Sequence, residues 1–148
     1  MEDALIKRVM PHSIEAEQSV VSAMLMDRDA ITTASEMISG KDFYQSVYGV
    51  VFDAIVELFN EGQPADLVTL QDRLRMKEVP AEISSLEFVR ELLNIASTSA
   101  NVKYYAQIVA DKSVMRKLIR LNEDIANVCY AGSESLEAVL EKTEKSVF

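Results

Sequence analysis

The stretch that decides the fold is ANVKYYAQIVADKSVMRKLIRLNEDIANVCYA, residues 100–131. Apolar side chains recur in it every three or four residues, and neither proline nor glycine interrupts it before Gly132. This pattern predicts one helix from about Asn101 to Tyr130, which at 1.5 Å per residue is about 45 Å long. A helix of that length exceeds the width of a head built from short helices, so we expect part of it to project.

The long helix carries more apolar surface than one packing neighbour covers. At about 100° per residue its apolar side chains span roughly 200°, whereas packing on one side needs about 100°. The central seam is Tyr104, Ile108, Met115, Leu118, Ile125 and Cys129, with Tyr105, Ile119 and Ala126 on one flank and Val114, Leu121 and Val128 on the other. Two readings stay open. Either the head and a following helix together cover this arc, or part of it docks another chain, as exposed apolar patches usually do.

Shorter helices precede the long one, because apolar residues recur at helical spacing between residues that begin or end helices. The pattern gives helices at about 14–26, 45–60 and 67–77, a short second helix that carries Ile31, Ala34, Met37 and Ile38 and ends at Gly40, and a fifth helix that carries Phe88, Val89, Leu92 and Leu93. A last helix begins after Ser133 or Ser135 and runs through Phe148. The predicted fold class is all-α: a mobile N-terminal arm (1–12), a compact head of short helices (13–100) and a projecting αα-hairpin (101–148).

Polar residues at the helix ends support these bounds. The candidate N-caps are Ser13, Asp27 or Asp29, Asp66, and Ser84 in a capping box with Glu87; Gly40 is a candidate C-cap. Glu15 and Glu17 fall in the first turn after Ser13, where carboxylates complement the helix dipole. We interpret both glutamates as solvated or capping groups.

Composition excludes several classes of function. The chain of 148 residues has a formal charge of −9, so it is a poor candidate for binding DNA or an anionic membrane by itself. Arg116, Lys117 and Arg120 fit a solvated helix face. The single Cys129 and single His12 give neither an internal disulfide nor a Cys/His zinc site. Without an apolar run of membrane-spanning length or a signal peptide's apolar core, we expect a cytoplasmic protein.

Catalytic motifs are missing from the chain. The sequence has no P-loop, nucleophile elbow, HExxH or CxxC, and its one Gly-Lys pair lacks the upstream glycine that a phosphate-binding loop requires. We therefore expect no catalytic residue, no cofactor and no metal in this chain, and interpret it as a protein-binding module. The alternative is a free-standing helical regulator that binds nucleic acid, although the acidic balance and the lack of a basic recognition helix speak against it.

A series of motifs nevertheless resembles a known family. In chain order they are IEAEQSVVSAML (14–25), DFY (42–44), VFxAI (51–55), GxPxDxVT (62–69), NxxYYAxIV (101–109), KS (112–113) and RxLI (116–119). Together they resemble the N-terminal domain of DnaB-family replicative DNA helicases over about residues 11–131. Departures include Val21 for a common Leu, Ser22 for the usual Gly, Tyr48 where His is frequent, and the pair Ser84-Ser85 for a common Gly-Gly.

The resemblance implies a role in assembly and recruitment. In the family, six such domains form a collar, a trimer of dimers, over a motor ring, and the collar recruits primase through the primase's C-terminal helical domain. A helicase loader is a further candidate partner. The residues that match the family's primase-facing surface are Phe88, Ile119 and Ile125, and we add Tyr105, whose hydroxyl suits a partly wet interface. We expect this chain to end in a linker helix that leads to a motor domain. ATP and Mg²⁺ are expected only for that motor domain.

Overall fold

A computed structural model describes residues 8–147, in which the secondary structure is entirely helical. The α-helices are α1 (Ile14–Met26), α2 (Arg28–Met37), α3 (Ser46–Asn60), α4 (Leu67–Met76), α5 (Leu86–Leu93), α6 (Val102–Ala131) and α7 (Leu136–Val147). A single 3₁₀ turn, Gly40–Asp42, lies between α2 and α3. The predicted all-α class is confirmed. Residues 1–7 of the predicted arm and Phe148 lie outside the described residues.

Most of the predicted helix starts are confirmed by side-chain caps. The hydroxyl of Ser13 accepts from Ala16 N–H, and Asp27, rather than Asp29, begins α2. Asp66 accepts the N–H groups of the first turn of α4. Ser135 Oγ accepts from Ala138 N–H at the start of α7.

Two of the predicted helix ends are wrong. The N-cap of α5 is Ser85, whose Oγ accepts from Phe88 N–H, whereas Ser84 Oγ donates to a carbonyl in the preceding turn. Gly40 is not a C-cap: α2 ends at Met37 with Ile38 as its C-cap, and the Gly40 N–H donates to Asp53 Oδ1 on α3 at 3.0 Å.

A close backbone approach follows from the position of that turn. A Cβ atom added to Gly49 on α3 would lie 2.4 Å from the carbonyl oxygen of Gly40. Only glycine lets α3 pack this tightly against the turn, because any other side chain would overlap the backbone.

The described residues divide into two compact units. The larger unit is His12–Ser113, and the smaller unit combines 8–11 with 114–147. The prediction of an arm, a head and a hairpin bounded at 12/13 and 100/101 stays a prediction.

The apolar core lies in the larger unit and draws on every helix there. Its largest fully buried apolar side chains are Phe52, Met24, Ile31, Ile55, Leu58, Leu70, Leu74 and Leu92. Val102, Ala106 and Val109 from the first turns of α6 are buried with them. Full burial of one such Leu, Ile or Phe side chain contributes about 1.5–3 kcal/mol, so this cluster supplies most of the stability of the unit.

Two buried polar side chains join elements distant in sequence. Glu17 on α1 is only 1% exposed, and its carboxylate accepts from Tyr44 N–H at 2.8 Å and Gln45 N–H at 3.0 Å, just before α3. Ser22 is fully buried, and its Oγ accepts from Ala96 N–H at 3.0 Å. Contrary to the interpretation from sequence, Glu17 is therefore neither solvated nor a helix cap, but joins α1 to the segment that leads into α3.

A group of ion pairs joins α3 to α4. Arg73 contacts Glu57 and Glu61, and Lys77 contacts Glu57 at 2.7 Å. Burial raises the pKa of Glu57, but hydrogen bonds from Lys77 and Arg73 outweigh burial and leave that pKa below its ordinary value. The hydrogen bond from Arg73 likewise lowers the pKa of Glu61.

Candidate functional site

Part of the apolar arc on α6 lies on the surface. In the smaller unit Val114 is 51% exposed, Met115 48% and Leu118 52%. Nearer the start of α6, in the larger unit, Tyr104 and Ile108 are also exposed. Among the residues described, the seam is therefore not sealed by this chain, and the reading in which its own fold covers the whole arc is wrong for these positions.

Farther along α6, the flank that holds Leu121 and Val128 faces α7. Leu121, Ile125 and Val128 line a groove with Val139 and Thr143 of α7, and the groove has a volume of about 170 Å³. Gly132, with a φ of +64°, ends α6 in the left-handed conformation that glycine adopts without strain, so α7 begins four residues later. This flank is the part of the arc that the following helix does cover.

A second exposed apolar stripe lies on α7. Leu136, Leu140 and Val147 are 73%, 56% and 49% exposed. At about 100° per residue the three positions fall within roughly 40° of one another on the helix circumference. Both helices of the smaller unit therefore present apolar side chains to solvent.

Ile119 is half-buried on a different face of α6. Together with Glu123 it lines a cavity of about 320 Å³, whose other wall is formed by Arg8, Val9 and Met10. Just beyond this wall, the Nη1 of Arg116 donates to the carbonyl oxygen of Pro11 at 2.8 Å.

Of the four predicted partner-binding residues, the structure places two in each unit. Phe88 on α5 and Tyr105 on α6 are half-buried and pack against the core of the larger unit. Ile119 and Ile125 belong to the smaller unit, where about 100° per residue puts them roughly 120° apart around α6. The structure thus does not gather these two isoleucines onto one face.

The basic residues of α6 differ from the expected solvated face at one position. Lys117 and Arg120 are exposed, as predicted. Arg116 is only 4% exposed, because its guanidinium is turned toward the chain segment that ends at Pro11. The interpretation of Arg116 as a solvated residue is wrong.

Sequence reasoning placed Val114, Met115 and Leu118 on the apolar arc of α6 but assigned neither them nor the exposed residues of α7 to the site. The signal that could have found Leu136 and Leu140 is their spacing of four, which repeats the i, i+4 pattern of a docking face on a short helix. Within the described part of the chain, no group of three or more His, Cys, Asp or Glu side chains could hold a metal ion. None of the helices within residues 8–147 combines the length and apolar character that a membrane span requires.

Comparisons with known proteins give one consistent result. The family described as "DnaB-like helicase N terminal domain" matches residues 9–111. The replicative DNA helicase DnaB of Geobacillus stearothermophilus is 36% identical over 99% of this chain, and the replicative DNA helicase DnaC of Bacillus subtilis is 35% identical over 99%. The chain spans about a third of the length of these curated relatives, 32% in both cases. The matched part is their N-terminal, non-catalytic domain.

Solved structures agree with this match. The crystal structure of the N-terminal domain of DnaB helicase from Mycobacterium tuberculosis superposes with a TM-score of 0.87 at 34% identity, covering 94% of this chain and 99% of that domain. A second structure, of the N-terminal domain of DnaB helicase from Helicobacter pylori, superposes with a TM-score of 0.65; it was described together with the interactions of that domain with primase. It is 21% identical and covers 78% of this chain and 90% of that domain, so this second likeness concerns the fold alone.

Proposed function

The chain belongs to the DnaB-like helicase N-terminal domain family, and we propose that it pairs subunits and recruits primase within a hexameric replicative DNA helicase. The observation that supports this role is the apolar surface that both helices of the smaller unit present to solvent. A soluble chain gains nothing from such surface alone, and contiguous exposed apolar patches mark protein interfaces.

Subunit pairing is assigned to the exposed residues of α6 and α7. Val114, Met115 and Leu118 on one helix and Leu136 and Leu140 on the other supply side chains that a second copy would bury. In the full assembly we propose that such pairs build a trimer of dimers above the motor ring. ATP and Mg²⁺ would then be used by the motor, and this domain would supply contacts only.

Primase recruitment is assigned to Phe88, Tyr105, Ile119 and Ile125. Support comes from the H. pylori domain, whose structure was determined together with its interactions with primase. Ile119 carries the assignment best, because it is half-buried, lies off the groove between α6 and α7, and does not belong to the core of the larger unit. We propose that the partner surface is the primase's C-terminal helical domain.

Other properties follow from this role. The charge of −9 supports weak or no DNA binding by the domain alone, so DNA would be handled elsewhere in the helicase. We propose a cytoplasmic location and keep a helicase loader as a candidate competitor for the same helices. No observation in the described residues favours the free-standing nucleic-acid-binding regulator.

The recruitment proposal is tested by replacing Ile119 with aspartate and measuring affinity for the primase C-terminal domain by calorimetry. We expect at least about tenfold weaker binding, because a charge would be placed in a contact that excludes water. The matched control is Val68→Asp, an apolar-to-aspartate change at an exposed position in the first turn of α4. Unchanged affinity of the Ile119 variant, with unchanged far-UV circular dichroism in both, contradicts the assignment.

The pairing proposal is tested separately by light scattering of the 148-residue chain across a concentration series. Leu118→Asp should shift self-association to at least about tenfold higher concentration, because a charge would replace an exposed leucine that a second copy buries. Val68→Asp again serves as the control. A wild-type chain that stays monomeric at every concentration, or equal self-association in all three proteins, contradicts pairing through this surface.

A further inference from the structure

Residues 8–10 lie against the face of α6 that carries Ile119. They are not helical, and they belong to the same compact unit as 114–147. Buried Arg116 on α6 donates a hydrogen bond to the carbonyl oxygen of the next residue, Pro11, at 2.8 Å, and this bond anchors the segment to the helix. Because a backbone carbonyl is the acceptor, this anchor does not depend on which side chains precede it.

Beyond the anchor, part of the segment does not pack closely against α6. A cavity of about 320 Å³ lies between residues 8–10 and the pair Ile119 and Glu123. Arg8 is exposed and Val9 is 63% exposed, so these two side chains bury little surface against the helix.

The position of this segment matters for access to the exposed surface. At about 100° per residue, Arg116, Ile119 and Glu123 lie within roughly 60° on one face of α6. Leu121, Ile125 and Val128, which face α7, lie nearly opposite. Of the exposed residues, Val114 falls on the same face as Leu121, whereas Leu118 and Met115 fall between the two faces, with Met115 roughly 40° from Ile119. A partner that is seated on Met115 and Leu118 and extends its contact to Ile119 meets residues 8–10, which line the same cavity as Ile119.

We propose that residues 8–10 form a displaceable strap over Ile119, which primase must push aside when it binds α6. This inference rests on the proposed recruitment function and adds a regulatory step to it. The apparent affinity then equals the intrinsic affinity multiplied by the fraction of molecules in which the strap is open. If the strap is seated in about 90% of molecules, it weakens binding about tenfold.

The first test weakens the strap in the full 148-residue chain. The double variant Val9→Ser with Met10→Ser removes the apolar side chains that face Ile119, and we expect it to bind the primase C-terminal domain about three- to tenfold more tightly. The matched control is Val68→Ser with Met76→Ser, which changes the same residue types at exposed positions of α4. The control should stay within about twofold of the wild type.

The second test closes the strap. In a Cys129→Ser background, cysteines replace Val9 and Glu123, which line the same cavity, and a cleavable bifunctional maleimide joins them. The joined protein should bind primase at least about tenfold more weakly, and cleavage of the linker should restore the affinity. Each single-cysteine variant treated with the same reagent controls for modification alone.

The outcomes separate the strap from the recruitment function. If Ile119→Asp weakens primase binding while the strap variants and the joined protein bind like the wild type, the strap is overturned and recruitment stands. If Ile119→Asp and the joined protein both bind primase normally, the recruitment site and the strap that depends on it are both overturned. Tighter binding of the double-serine variant together with reversible loss in the joined protein supports the strap.

Discussion

Replacing Glu17 with alanine tests whether a buried carboxylate joins α1 to the start of α3. The change removes the acceptor for two backbone N–H groups, those of Tyr44 and Gln45. An unsatisfied buried donor costs about 1–3 kcal/mol, and water reaches part of this region because Tyr44 is partly exposed. We therefore expect the free energy of unfolding to fall by about 2–4 kcal/mol, a large share of the 5–15 kcal/mol typical of a domain.

The measurement is urea unfolding followed by circular dichroism, and the chain supplies a matched control. Glu15 has the same side chain in the same first turn of α1 but is exposed. Glu15→Ala should cost less than about 1 kcal/mol, since it loses only its interaction with the helix dipole. Glu17→Gln should fall between the two alanine variants, because its amide keeps one acceptor oxygen.

The reasoning is refuted by one clear result. If Glu17→Ala and Glu15→Ala lower the free energy of unfolding equally, within about 0.5 kcal/mol, then the two hydrogen bonds of Glu17 stabilise the fold no more than the exposed carboxylate of Glu15 does. An unchanged slope of the unfolding free energy against urea is required for the comparison, because a changed slope reports a different denatured state.

Three further predictions use the larger unit. Leu74→Ala should lower the free energy of unfolding by about 2–5 kcal/mol in urea titrations, because it opens a cavity in the core, whereas Met76→Ala on the exposed side of α4 should change it by less than about 0.5 kcal/mol. Gly49→Ala should abolish stable folding or lower the melting temperature sharply in calorimetry, because its Cβ would overlap a backbone carbonyl; a wild-type melting temperature would contradict the packing described. Arg73→Gln should lower the melting temperature at neutral pH. This loss of melting temperature should be largest above the ordinary carboxylate pKa. It should shrink as the pH falls through the lowered pKa of Glu57, because protonation of Glu57 removes the ion pair in the wild type. A loss of melting temperature that does not depend on pH would contradict this.

The helices could be predicted because their signals are local. Apolar spacing and the caps Ser13, Asp27 and Asp66 each act within one turn of the chain, so the sequence window that carries the signal also contains its partner. The missed cap of α5 shows the limit of such signals. Ser84 and Ser85 both carry hydroxyls, and only the backbone conformation decides which one reaches the first turn.

The other wrong predictions concern residues whose partners lie far along the chain. Gly40 resembled a helix end, but its role is set by Asp53, thirteen residues later and on another helix. Glu17 resembled a first-turn carboxylate, and its acceptor role is set by backbone N–H groups 27 and 28 residues away. Arg116 matched the pattern of a solvated helix face, but its position is set by the carbonyl oxygen of Pro11, 105 residues earlier in the chain. A pattern along one helix identifies which residues share a face, but not what lies against that face.

The candidate site was predictable to the same extent. The arc on α6 was visible in the sequence because its width depends only on helix geometry. Which part of the arc stays exposed depends on where α7 and residues 8–10 pack, and no local pattern states this. The sequence placed Ile125 on the seam and Ile119 on its flank, but it did not show that Ile125 faces the groove and Ile119 faces the N-terminal segment.

The exposed stripe on α7 is the feature that a purely structural role of the hairpin does not explain. Val139 already supplies the contact that holds α7 in the groove against α6. Leu136 and Leu140 do not line that groove, and lysine or glutamate at either position would form the helix equally well. Their exposure is unfavourable for an isolated domain, because apolar area left in water forgoes about 25 cal/mol for each Å² that a partner could bury. This free energy becomes available only on association, and for that reason the surface is better understood as one that a second chain covers.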